Sequence, residues 1–225
     1  IMEDKYINLL LNKCVDNTSG LLFIHYNKEI KPFVDALVDK AKKSGIKEVF
    51  LEEVDPYYEH EILKNSTLEE IEANPHFDSS IWDKYAEDNA SFLMFETEYP
   101  GLFDDIEPKK IALASKLRRN SRPLYRRMVE NCTLSWCIAA YPSKCWASSL
   151  FDEDDAYDKL LNFIYKVCMI NESDPIKAWD NHLNKINKVI DKLNNLNIKS
   201  LHYQNKLGTD LEVFLPDNYL FSSAK

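Results

Sequence analysis

The chain has 225 residues, 45% hydrophobic and 29% charged with four glycines, so it holds enough apolar matter to offset ordering entropy and is not a disordered or low-complexity chain. A formal charge of −9 opposes general attraction to nucleic acid or anionic lipid, because the summed field repels phosphate. Cys14, Cys132, Cys137, Cys145 and Cys168 are odd in number and lack a repeated short spacing, which argues against a disulfide scaffold and for free thiols in a reducing compartment.

In chain order, Tyr6, Leu9, Leu10, Lys13 and Cys14 recur at helical spacing, and Gly20 opens the apolar run Leu21 to Ile24, a buried strand. Phe33, Leu37, Val38 and Ala41 make the next helical stripe, ending at Ser44-Gly45, before a second strand over 46–51. Shorter helical pieces around Ile62, Leu68 to Ile71 and Ile81 to Tyr85 lead to a third strand over 91–95. Helices from Pro108 and after Pro123 precede a fourth strand over 134–140, closed by Tyr141-Pro142. Such alternation, with short crossovers, predicts an α/β fold: a parallel or mostly parallel sheet flanked by helices.

Tyr157, Leu160, Leu161, Ile164 and Val167 mark an amphipathic helix after the acidic run Asp152 to Asp155. Asp174-Pro175 signals the start of one long helix carrying Ile176, Trp179, Leu183, Ile186, Ile190 and Leu193. After Asn197 the period changes to two: Leu201 and Tyr203 share one face, and Leu211, Val213 and Leu215 another, across the Lys206-Leu207-Gly208 turn. A lone hairpin cannot cover its own apolar face. The expected organisation is therefore an N-terminal α/β domain over 1–197 and, over 198–225, the first β-hairpin of a truncated second domain.

Motifs for chemistry are sparse. His25, His60, His76, His182 and His202 do not pair at metal-ligand spacing, and His60 between Glu59 and Glu61 reads as a solvated helix face. Carboxylates at 152–155 are explained by a helix start, since the run lacks the glycine and alternating ligands of a calcium loop. There is no Gly-x-Ser-x-Gly, and Gly20, Gly45, Gly101 and Gly208 are isolated, which disfavours a nucleotide-binding loop. The stretch containing Lys116, Arg118, Arg119, Arg122, Arg126 and Arg127 lacks acids and supports an alternative function, a non-enzymatic module binding RNA or another polyanion through the 116–127 face. No catalytic, cofactor-binding or metal-binding residue is assigned.

Ala139-Ala140-Tyr141-Pro142 with Cys145-Trp146-Ala147, then Asp174-Pro175 with Trp179 and His182-Leu183, then Leu193-Asn194, and Gly208-Thr209-Asp210-Leu211 form an ordered set. Together they resemble the N-terminal half of the metal-dependent aminopeptidases typified by aminopeptidase T, aminopeptidase S and PepS, the thermophilic metalloproteases. The resemblance implies a cytoplasmic, homodimeric exopeptidase that removes N-terminal residues from peptides using two divalent ions, zinc, cobalt or similar. Such ions would polarise the scissile carbonyl and activate water. It also implies that the ligands follow the Gly-Thr-Asp-Leu hairpin. No family ligand maps onto a residue of this chain, so these 225 residues alone are expected to be inactive. The end departs from the family pattern, with Tyr219 to Ser223 where the family more often has tryptophan followed by glycines. No apolar run approaches the roughly 20 residues of a membrane span, and nothing in Ile1 to Lys5 resembles a secretory signal.

Overall fold

The computed structural model describes residues 2–223. Its first strand, β1 (Leu21–Asn27), is flanked by β2 (Glu48–Val54) and β3 (Ser91–Glu96), and β4 (Trp136–Ala140) forms the edge beyond β3; all three pairings are parallel. A parallel sheet must be covered on both faces, because its crossover helices lie there. One face carries α1 (Met2–Lys13), α2 (Lys31–Lys43) and α9 (Ala156–Val167); Tyr6 packs on Phe33 and Tyr165, and Phe33 on Phe95 and Tyr141. The other carries α5 (Ile81–Glu87) and α7 (Pro123–Glu130), where Phe23, Trp82, Tyr85, Phe92, Tyr125 and Leu134 form the core.

A third cluster lies off the sheet. Leu63 of α3 (Pro56–Asn65), Ile71 of α4 (Leu68–Glu72), Phe77, Ile106 and Ala114 of α6 (Pro108–Asn120) bury one another. Helix starts follow local chemistry. Asp55 accepts amide hydrogens from Tyr57 and Tyr58 at the start of α3, and Thr67 and Glu70 form a reciprocal capping box at α4. Ser143 opens α8 (Lys144–Leu150), a helix with no apolar stripe in the sequence and a single buried residue, Ala147.

The residues divide into two compact units at Asn171/Glu172. The second holds α10 (Pro175–Asn194) and a hairpin of β5 (Ser200–Gln204) and β6 (Asp210–Phe214). Asp174 accepts the Lys177 amide at 3.0 Å and Pro175 occupies the first turn, as their spacing predicts. Leu201 stands opposite Val213 and Tyr203 opposite Leu211, so the apolar residues share one face of the hairpin. They do not occupy two separate faces, as their spacing alone predicts, because antiparallel partners point the same way.

No helix among the described residues is long and apolar enough to cross a membrane.

Candidate functional site

From β1 the chain crosses to β2 on one side, and later to β3 on the other. In such open sheets the crevice outside the carboxyl ends of the strands, where the order reverses, is the place a ligand can enter. A cleft of about 390 Å³ lies here, lined by Asn27, Glu29, Glu53, Asp55, Tyr57 and Tyr99 together with Lys28 and Lys31.

Its polar groups are tied together. The Tyr99 hydroxyl lies 2.9 Å from Asn27 Oδ1 and 2.8 Å from Glu29 Oε2, which share its single hydrogen, and the other Glu29 oxygen accepts the Lys144 amide at 2.7 Å. Tyr26 donates to Glu53 at 2.8 Å, and Lys28 is paired with Asp55. Tyr57 meets Tyr99 edge-on, with ring centroids 5.5 Å apart. Burial, then the bond to Glu29, pushes Tyr99 well above the ordinary phenol value, so it stays a neutral donor. Burial would raise Asp55, but Lys28 and the amides of Tyr58 and Tyr57 outweigh it and hold the carboxyl below its usual value.

The acceptors among these groups, Asn27 Oδ1, Glu29, Glu53 and Asp55, already receive protein donors. They can orient a polar ligand at the rim, but no nucleophile with an adjacent base stands among them. The local signal was present in the sequence as polar residues directly after two apolar runs, Asn27-Lys28-Glu29 and Thr97-Glu98-Tyr99. Nothing in it said that the two segments adjoin.

The residues singled out earlier fall elsewhere. His60 is not on a solvated face: its side chain is 12% exposed and its Nε2 lies 2.7 Å from Asp105 Oδ1, because α3 packs against the loop before α6. Glu59 receives both Arg118 guanidinium nitrogens, at 2.8 and 2.7 Å. Arg122 lies over Trp82 at 4.2 Å and over Tyr125 at 5.5 Å, its Nε buried without a hydrogen-bond partner. Arg126 pairs with Glu130. The basic stretch is therefore not one continuous cationic face, and Lys116, Arg119 and Arg127 are its exposed members. Lys159 binds Glu153 and Asp155, tying the acidic run to the helix it precedes.

Several residues that carried the family resemblance hold the backbone in place. Ala140 accepts the Tyr6 hydroxyl, Ser143 accepts the Trp146 amide, and Gly208 adopts a left-handed φ of +99° in the hairpin turn. A family model described as thermophilic metalloprotease (M29) matches residues 2–225.

The chain belongs to this family.

Among its relatives, Aminopeptidase 2 of Geobacillus stearothermophilus is 29% identical over 205 residues, covering 89% of this M29 chain and 50% of that protein. Aminopeptidase PepS of Streptococcus thermophilus is 26% identical over 226 residues, covering 98% and 54%. The fold matches wild-type AmpT from Thermus thermophilus with a TM-score of 0.78 at 20% identity, over 95% of this chain and 53% of that one. The M29 chain spans about half the length of the curated relatives it matches.

The family name implies a metal. Among the described residues no three or more His, Cys, Asp and Glu side chains converge so as to hold one. The donors in the sheet crevice are spread along its rim and bonded to protein groups, so the residues present do not fit a metal centre, and no step is derived through one.

Proposed function

We propose that this chain is the N-terminal region of a dinuclear metal-dependent aminopeptidase that removes N-terminal residues from peptides. On this reading residues 1–197 are its α/β domain, residues 198–225 open the catalytic domain, and two divalent ions such as zinc or cobalt are held by segments of the whole enzyme that this chain does not contain. The whole enzyme is a cytoplasmic homodimer, and the 225 residues alone do not turn over substrate. The match of the family model along residues 2–225 carries the proposal. The aminopeptidase names of the relatives and the shared fold support it.

The test is to incubate the purified chain with zinc or cobalt and an aminoacyl reporter peptide, beside a full-length M29 relative. The expected result is no turnover by the chain and none of the stoichiometric metal retention shown by the relative. Turnover near that of the relative would overturn the assignment of the chemistry to other segments. If the relative itself failed to release N-terminal residues, the aminopeptidase reading would fall.

A further inference from the structure

One polar group of the sheet crevice is held in place and left unused. Asn27, the last residue of β1, is only 7% exposed and lines the cleft. Its Oδ1 accepts the Glu29 amide at 3.4 Å and lies 2.9 Å from the Tyr99 hydroxyl. An amide N–H can only donate, so the oxygen is fixed on that side and the side-chain NH2 is turned the other way. That NH2 has no hydrogen-bond partner among the described residues. Unlike Arg122 Nε, it is not sealed from open space. A donor on a buried side chain, left free at the wall of a cleft, calls for an acceptor from outside.

The crevice also carries negative charge without a counter-ion. Lys28 is paired with Asp55, and Lys31 with Asp35 at 2.7 Å. Glu29 and Glu53 receive only neutral donors, the Tyr99 and Tyr26 hydroxyls and the Lys144 backbone amide, and neither forms an ion pair with a described residue. Each carboxylate oxygen has two lone pairs, so a further donor fits beside those present. Tyr57 and Tyr99 stand next to them, and aromatic faces attract an ammonium group. A metal ion does not suit the same groups, since no three ligating side chains converge among the described residues.

We infer that the crevice binds a primary ammonium adjacent to a carbonyl group, as found at the N-terminus of a peptide. The carboxylates of Glu29 and Glu53 attract the ammonium, and the neighbouring carbonyl accepts the free Asn27 NH2. A free amino acid offers the same ammonium but brings a carboxylate toward two uncompensated negative charges, so the peptide terminus is the favoured source. No bond is made or broken. The inference goes beyond the aminopeptidase reading and does not depend on it, because recognition here requires no turnover.

The experiment follows the isotope-labelled chain by NMR as L-alanyl-glycinamide is added, in buffer containing EDTA so that the peptide stays intact. The Asn27 side-chain amide is the decisive signal. It should shift saturably, together with the backbone amides of Tyr57 and Tyr99. Alanine should bind more weakly, and N-acetyl-alanyl-glycinamide, which keeps the carbonyl and lacks the ammonium, should not bind. Glu29→Gln and Glu53→Gln retain an oxygen for the tyrosine hydroxyls and remove the charge. Each should weaken binding about two- to fivefold, the size of a partly screened charge contact. Absence of a saturable shift at Asn27, equal binding of the acetylated peptide, or undiminished affinity in both glutamine variants would overturn the inference. Alanine binding as tightly as the peptide would overturn the assignment to a peptide terminus.

Discussion

Replacing Phe23 by alanine tests the placement of β1 at the centre of the sheet. Phe23 is fully buried, and its ring centroid lies 4.9 Å from that of Phe50, 4.9 Å from Trp82, 5.5 Å from Tyr85 and 4.8 Å from Phe92. Truncating a buried phenylalanine costs about 3–5 kcal/mol through lost transfer energy and the cavity left behind. Four aromatic neighbours put Phe23→Ala at the upper end, about 4–5 kcal/mol, since each such ring pair adds about 0.5–1.5 kcal/mol and the terms do not sum fully. At about 2–4 °C per kcal/mol for a domain of this size, the Tm should fall by roughly 8–20 °C.

Urea unfolding followed by near-UV circular dichroism measures the loss, and Trp82 reports it locally, because its ring contact with Phe23 disappears. The control is Ile138→Ala on edge strand β4, where the side chain is 52% exposed and the cost should stay below about 1 kcal/mol. If Phe23→Ala cost under about 2 kcal/mol, or no more than Ile138→Ala, β1 would not be the central buried strand.

The Glu59–Arg118 pair predicts a pH dependence. Burial would raise Glu59, but the His76 ring, 3.8 Å away, and the two hydrogen bonds from Arg118 outweigh it and hold it at about 2, below its ordinary value of 4.5. A depressed carboxyl stabilises the fold above its unfolded pKa, and that contribution is lost as pH falls through the folded value, so the window is from about 4.5 down to about 2. Urea titrations at pH 6, 4 and 3 should show wild type losing about 2 kcal/mol more than Glu59→Gln by pH 3; parallel slopes would refute it. Asp174→Ala removes the cap of α10 and should cost about 1 kcal/mol. The readout is faster hydrogen exchange at the Lys177 amide, which Asp174 holds at 3.0 Å; unchanged exchange would sink the capping assignment.

Much of the fold was legible because it rests on local rules. The apolar runs at 21–24 and 91–95 mark the starts of β1 and β3 to the residue, although β1 continues to Asn27. Asp174-Pro175 opened a helix because a carboxylate cap and a first-turn proline act within one turn of chain. Helix α8 was missed because Lys144 to Leu150 buries only Ala147 and so writes no amphipathic period. His60 was misplaced because its partner, Asp105, lies in a distant loop.

What the sequence by itself determined is the alternation of strands and helices, the parallel sheet class and the family motifs, since each depends on residues close together in the chain. Tertiary structure alone decided the strand order β2-β1-β3-β4, and with it the crevice that joins Asn27 and Glu29 to Tyr99. It also decided that His60 meets Asp105, 45 residues further along the chain. No local periodicity encodes such encounters. They follow from which apolar faces bury one another, and that is a property of the whole packed core.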